Sequence, residues 1–493
     1  MYDNLLVVPI FLPVIAGVAL LIMKNKLIPL YMYCYVMSVL AISACCIAMN
    51  LLGDDYLTIT LFELMKGIPV YFKLDEVGKV YSIFVTVVWI VVGIYGIGYL
   101  SQEKHKNEFY GYYLILYGFL IGSHYAGNIV TFYIFYELLT LISVPLVLFK
   151  RTKEAKMAAL KYMFFSFLGA YMLLYGVYFT YEYSSAMEFM AGNSVSVNAM
   201  GDQKDVVLFA VFLMICGFTI KAGMFPFHSW LWAAHPVAPA PASAVLSAII
   251  TKTGIHGIIR VIYYIVGPDF IRGTWVQYLF LTLSIFTLLM GSMLAYREKI
   301  LKKRLAYSSI SQVSYILFGL ALLSPVGLIG ALLQLISHAC VKSTLFLSAG
   351  SILHVRGKSY VDELVGIGKE MPFTMTCYTI ASLALVGIPL TSGFITKWYL
   401  AIAGLSEGIA YGLSTFGAMS LMASALLTAG YLLPVAVKGF FPGPSYTRIG
   451  KNHHDRNICL ILPLVILTII IIVIGIFPNF AISYFTKIAS MLV

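Results

Sequence analysis

The chain has 493 residues, 61% of them hydrophobic and only 11% charged, with a net charge of +11 and a mean hydropathy of +0.92. A soluble fold must cover its core with charge, so this composition excludes a soluble globular protein and leaves an all-α polytopic membrane protein. The excess of Lys and Arg is accounted for by loops between apolar runs, and a nucleic-acid-binding reading has no support.

Runs of roughly 20 apolar residues are the unit of organisation. Fourteen can be read: 4–23, 28–52, 77–100, 109–126, 128–149, 160–182, 206–229, 241–267, 275–296, 303–323, 326–353, 373–404, 411–439 and 457–484. The first has no basic leader and no small-residue cleavage site, so it reads as a span and not as a removed signal. Orientation follows from the basic residues. With the N-terminus outside, the inward loops carry Lys24, Lys26, Lys104, Lys106, Lys150, Arg151, Lys153, Lys156 and Lys161. Further along they carry Arg297, Lys299, Lys302, Lys303, Arg304, Arg356, Lys358, Lys369, Lys438, Arg448, Lys451 and Arg456. The opposite loops hold only Lys66, Lys73, Lys204, Arg272 and Lys487, with Lys79 at an edge. Both termini are therefore expected on the non-cytoplasmic side.

The first three spans carry no buried charge. The loop at 53–76, with Asp54, Asp55, Glu63, Asp75 and Glu76, reads as solvated acidic surface. The fifth span places Glu137 well inside an apolar helix, where a carboxylate implies a partner and a buried lysine is the expected one. The seventh span supplies Lys221. A lysine at mid-bilayer costs about 2.5–3.5 kcal/mol on insertion scales, so its presence calls for a reason. Pro226, five residues on, breaks the helix and frees carbonyls that need water or polar side chains. Gly217, Gly223, Gly254 and Gly257 are expected to loosen the seventh and eighth spans.

The eighth span sets Lys252, His256 and Arg260 at i, i+4 and i+8, on one helical face. Lys252 and His256 suit a proton relay; Arg260, nearer the end, suits a relay or a side chain that snorkels to the interface. His228 and His235 fall in the connection between spans seven and eight, where loop, interface and relay roles all stand open. The tenth span opens on a run of hydroxyls with Gln312. The eleventh places Gln334, His338 and Lys342 on one face. The twelfth repeats the seventh: Gly387, Pro389 and Gly393 break it and Lys397 follows. Two broken, lysine-bearing helices in corresponding places signal an internally repeated transporter. The last two spans carry no buried charge. The seven cysteines fall mostly inside spans, with no metal-ligand or redox spacing, and read as packing residues.

Five stretches together resemble the antiporter-like subunits of respiratory complex I, the Mrp-type cation/proton antiporters and the membrane-bound NiFe hydrogenases. They are FYELLTLISVPLV around Glu137, KAGMFPFHSWL around Lys221, HPVAPAPASAVLSAIITKTGIHGIIR around Lys252, HACVKSTLFLSAG around Lys342 and GIPLTSGFITKW around Lys397. The likeness runs from about residue 109 to 440 and leans toward the Mrp and hydrogenase branches. It implies about 14 transmembrane helices with two inverted five-helix repeats and two broken helices. The expected units are residues 1–105 (spans 1–3), 106–270 (spans 4–8), 271–440 (spans 9–13) and 441–493 (span 14). The resemblance assigns the family's glutamate–lysine pair to Glu137 and Lys221, its central relay to Lys252 with His338 or Lys342, and its distal site to Lys397. His256 stands where many relatives have an apolar or aromatic residue.

The expected function is proton or cation/proton translocation by Glu137, Lys221, Lys252, His256, His338, Lys342 and Lys397. The expected setting is a multi-subunit complex in a prokaryotic inner membrane. Its partners are then the lipid bilayer, other membrane and peripheral subunits, H+ and an undecided share for Na+. No cofactor or metal motif is found, so redox chemistry is expected on another chain of an oxidoreductase complex. Two other readings remain at this point: a self-sufficient secondary cation/proton antiporter, and a membrane scaffold that moves nothing.

Overall fold

The computed structural model describes residues 3–23, 28–52, 57–183, 188–191, 203–406, 412–443, 455 and 457–493. The expectations placed on Lys24, Lys26, Asp54, Asp55, Arg448, Lys451 and Arg456 lie outside them. The first six apolar runs fold as helices α1 (Val8–Met23), α2 (Pro29–Leu52), α3 (Glu76–Tyr99), α4 (Lys106–His124), α5 (Ile129–Val147) and α6 (Lys153–Glu182). The seventh run divides into α7 (Lys204–Ala222) and α8 (Ser229–Val237), and the eighth is the continuous helix α9 (Ala240–Val266). Next come α10 (Trp275–Arg297), α11 (Leu301–Ala321) and α12 (Pro325–Arg356). The twelfth run divides into α13 (Pro372–Val386) and α14 (Ser392–Ser406), followed by α15 (Leu413–Phe440). The final run stops short at Pro478 and yields α16 (Ile458–Ile476) and a second helix, α17 (Asn479–Leu492). Among the described residues, ten helices are long and apolar enough to cross a membrane.

The loop expected as plain acidic surface is more ordered than that. Thr58–Met65 (β1) and Ile68–Lys73 (β2) pair antiparallel and turn at Gly67, whose φ of +82° suits glycine. The β-branched and aromatic residues of TITLF and PVYF explain the strand choice. Asp75 is nearly buried, and its Oδ1 accepts from Gly78 N at 2.8 Å to cap α3.

The two broken helices stop in the same way. Gly223 N donates to Ile220 O and Met224 N to Thr219 O; Gly387 N donates to Ala384 O and Ile388 N to Leu383 O. Each is a Schellman closure around a glycine at positive φ, +83° and +94°. Freed carbonyls at both breaks find protein donors: Trp230 Nε1 reaches Ile220 O at 2.8 Å, and Lys397 Nζ reaches Leu385 O at 2.5 Å and Val386 O at 2.6 Å. A Cβ on Gly387 would also come within 2.7 Å of Lys397 Cδ. Gly387→Ala is therefore expected to cost about 1–2 kcal/mol from the left-handed backbone alone, read as a lower thermal midpoint of the purified protein. An unchanged midpoint would contradict this account.

Burial sorts the helices. The apolar window of α9 is wholly buried and that of α12 is 89% buried, while those of α2, α6 and α16 are 39% buried and form the perimeter. Helix α12 is the hub, packed by α9, α11, α13, α14, α16 and α17. Of the other glycines, Gly254 matters most, for close packing and not for loosening. A Cβ there would sit 2.4 Å from Phe218 O, so its absence lets α9 lie against α7 beside Lys221. The loops also sort by end. Arg151 pairs with Glu108 at 2.7 Å, Ile300 bridges Tyr360, and Arg356 pairs with Glu370 at 2.6 Å, all at the basic end. At the other end the hairpin meets the α4–α5 turn through Lys73 N to Tyr125 O and Asn128 Nδ2 to Pro69 O.

Candidate functional site

The most buried helices carry the ionisable side chains, the reverse of what burial alone would select. Lys221, 2% exposed at the end of α7, reaches α5. Its Nζ donates to Thr140 Oγ1 at 2.7 Å and to Tyr136 O at 3.2 Å, and lies 3.6 Å from the Tyr136 ring centre. Glu137 sits on that same turn of α5, half-buried, and its Oε1 accepts no hydrogen bond. Lys221 thus comes to the turn that carries its expected partner without a direct ion pair. Lys221 is held by a carbonyl, a hydroxyl and an aromatic face, which stabilise an ammonium without fixing the carboxylate.

Helix α9 presents Lys252 to α12. Lys252 Nζ donates to Ser247 O at 2.5 Å and lies 2.6 Å from His338 Nδ1. A π-helical stretch, Leu246–Ile250, lies just before Lys252, and a second, Arg260–Val266, begins at Arg260. Such insertions widen a helix and recur at functional sites. On α12, Gln334, His338 and Lys342 form one polar face about 12 Å long, eight residues at 1.5 Å each. Between them they contact three neighbouring helices. His338 meets α9; Lys342 donates to Leu305 O at 3.1 Å and closely to Ser308 Oγ on α11. Gln334 Nε2 donates to Gln312 Oε1 at 3.0 Å, and its own Oε1 accepts from Thr396 Oγ1 of α14 at 2.7 Å. Thr396 immediately precedes Lys397, which caps the second break and lies 5.3 Å from the Tyr315 ring. The tertiary structure therefore connects Lys252, His338, Lys342 and the neighbourhood of Lys397 through one face of α12. Lys221 approaches that set only by the packing of α7 on α9.

His256 and Arg260 turn away from this face. His256 Nε2 accepts from Arg260 Nε at 3.0 Å, and His256 Nδ1 lies 2.8 Å from His124 Nδ1 on α4. Arg260 is fully buried and forks onto both carboxylate oxygens of Asp75, with Nη2 to Oδ1 at 2.8 Å. The snorkelling alternative for Arg260 is thereby corrected, as is the solvated reading of Asp75. A guanidinium with a buried bidentate carboxylate has no reason to reach for the interface. His228 is half-buried at the start of α8, against Phe225. His235 is buried and stacked on Phe346 at 4.6 Å.

Sequence reasoning missed His124, a lone histidine at the end of its run, and Asp75, hidden among loop acids. It also missed Thr140 and Ser308, which hold Lys221 and Lys342. Nothing in spacing marked any of these, since their partners lie 34 to 185 residues away in sequence. Among the described residues no group of three or more His, Cys, Asp or Glu could hold a metal ion. An opening of about 720 Å³ has a mostly apolar wall that includes Leu333, Ile336 and Cys340 of α12, and Glu76, Lys79 and Lys487 also line it.

Known proteins resemble this chain over most of its length. Residues 126–429 match a family model described as NADH:quinone oxidoreductase/Mrp antiporter, TM, and all seven expected site residues fall inside that segment. NADH-quinone oxidoreductase subunit N of Desulforudis audaxviator is 31% identical over 396 residues, 77% of this chain and 76% of that one. A Na(+)/H(+) antiporter subunit of Bacillus subtilis is 25% identical over 494 residues, 99% of this chain and 97% of that one. In fold, the chain superposes on one from the Mrp complex of Dietzia sp. with a TM-score of 0.85 at 21% identity. It superposes on one from the membrane-bound sulfane sulfur reductase, an archaeal respiratory membrane complex, with 0.86 at 23%. In both cases the match covers 99% of this chain and 97% of the other. Buried lysines on Gly/Pro-broken helices, a matched segment that spans them and a fold shared over nearly the whole length lead to one conclusion: this multi-pass membrane protein belongs to the NADH:quinone oxidoreductase/Mrp antiporter transmembrane family.

Proposed function

We propose that the chain is the ion-translocating membrane subunit of a multi-subunit complex of the complex I, Mrp or membrane-bound hydrogenase kind. Protons pass among Glu137, Lys221, Lys252, His256, His338, Lys342 and Lys397, and the driving reaction or gradient is supplied by other chains. The observation that carries this reading is the polar face of α12, where Gln334, His338 and Lys342 join α9, α11 and α14 by hydrogen bonds inside the most buried part of the bundle. Carriers of a proton need alternating donors and acceptors within hydrogen-bond reach, and this face supplies them.

The full membrane reading is fourteen spans, with the broken pairs α7–α8 and α13–α14 each counted once and α16 as the last. Residues 106–270 and 271–440 are two inverted five-helix repeats, flanked by 1–105 and 441–493. The matching glycine closures at Gly223 and Gly387 support the repeat. The concentration of basic loops at one end supports a cytoplasmic face there, with both termini on the opposite side of a prokaryotic inner membrane. Glu137→Ala and Lys221→Ala in the purified, reconstituted complex are expected to abolish coupled ion transport without preventing assembly. Wild-type transport by either assembled variant would refute the reading.

A further inference from the structure

His256 sits on the face of α9 that carries Lys252, yet its hydrogen bonds lead the other way, toward the hairpin end of the bundle. The bond pattern determines its tautomer. Arg260 Nε carries a hydrogen, so His256 Nε2 must accept and is unprotonated. His256 Nδ1 then bears the proton and donates to His124 Nδ1. His124 in turn carries its proton on Nε2, an atom that is buried and has no protein partner. The Tyr81 ring packs against both imidazoles, 4.3 Å from His256 and 4.8 Å from His124, and its hydroxyl is likewise buried without a protein partner. Arg260 closes the row. It is clamped by Asp75, whose side chain is 13% exposed at the head of α3.

We propose that Asp75, Arg260, His256 and His124 form a locked side branch at the hairpin end of the bundle, one turn along α9 from Lys252. The proposal rests on the proton-translocating role argued above and adds to it a second outlet, with His124 as a further proton-carrying residue. Asp75 and His124 both lie outside the segment 126–429 that matches the family model. In the arrangement seen, Arg260 Nε–H occupies the only lone pair with which His256 could take a proton, and the branch is shut. When the guanidinium swings off, His256 accepts a proton at Nε2, passes its Nδ1 proton to His124 Nδ1, and His124 releases the one on Nε2. Each transfer leaves one proton gained and one lost, and both rings end in the opposite neutral tautomer. The Asp75 carboxylate is what keeps Arg260 in place, by a paired, two-oxygen contact that a single-donor partner could not match.

The test uses the purified parent complex in sealed vesicles with an internal pH dye and an imposed pH difference. No electron donor or cation gradient is supplied, so only passive proton flow is read. Asp75→Asn is expected to raise that flow at least about tenfold, a decade for each ~1.4 kcal/mol taken from the barrier. Adding His124→Phe should return it to the wild-type level. Arg260→Lys provides an independent arm, because it keeps a cation for Asp75 while removing the Nε–H from His256; it too should leak, and only while His124 is present. A tight Asp75→Asn complex overturns the proposal. If Asp75→Asn does not assemble, a tight Arg260→Lys complex does so. A leak that persists after His124→Phe also overturns it, since the flow then comes from a loosened bundle. Coupled transport in Lys221→Ala is read separately with the driver on, so this branch and the main function can fail independently.

Discussion

Lys252→Met is expected to lower coupled proton transport by about 10²–10⁴-fold, the range lost when a positioned proton carrier is removed. Methionine preserves the length of the side chain and takes away the titratable nitrogen between Ser247 O and His338 Nδ1. Ser247 O keeps a donor in Thr251 Oγ1 at 2.8 Å, so few groups are orphaned. Removing an ammonium from a site with no exposure also removes its desolvation cost, and the complex should assemble at normal yield. Lys252→Arg separates the two things a lysine can do. It keeps the positive charge but holds its proton at any working pH, so it should be as inactive as methionine. Transport measured in reconstituted vesicles decides the matter: substantial activity in Lys252→Arg would mean that the position supplies a charge and not a proton.

Asp75→Ala is expected to destabilise the protein by about 3–5 kcal/mol, the usual cost of leaving one member of a buried ion pair uncompensated. Arg260 has no exposed surface, and its planar fork meets both oxygens of Asp75. Its other neighbours are the neutral His256 ring, which accepts from Nε at 3.0 Å, and the rings of Tyr264 at 4.5 Å and Phe189 at 4.8 Å, none of which can replace a carboxylate. The loss should appear as a large fall in the thermal midpoint of the detergent-purified protein. Because the penalty comes from the stranded charge, Asp75→Ala combined with Arg260→Leu should recover most of it. A double variant no more stable than Asp75→Ala alone would place the cost in the α3 cap, where Asp75 Oδ1 also accepts from Gly78 N. The cap by itself is worth only about 0.5–2 kcal/mol, which makes the two sources distinguishable.

How far the sequence reached can be judged residue by residue. Apolar run length located every long helix, because in a bilayer the backbone must satisfy itself along the chain and each span is legible locally. Lys221, Lys252, His338, Lys342 and Lys397 stood out for the same reason: a charge inside an apolar run is costly wherever its partner lies. The helix breaks were equally local, since glycine at positive φ followed by proline ends a helix whatever surrounds it. Composition also settled the membrane class before any residue was considered.

Partnership emerged only in three dimensions. Lys221 of α7 reaches the turn of α5 that carries Glu137, yet Thr140 and Tyr136 hold it, a choice made by how α7 leans on α5. His338 belongs to Lys252 and Lys342 to Ser308 because α12 turns one polar face toward two helices at once. Asp75 looked like any loop acid, and His124 like any helix-end histidine. Helix packing brings both to Arg260 and His256, whose sequence separations of 185 and 132 residues leave no periodic trace. The linear order of residues names the side chains that need explaining, because burial cost is read along one helix. Which of them touch is settled by folding, because a hydrogen bond depends on how separate helices pack.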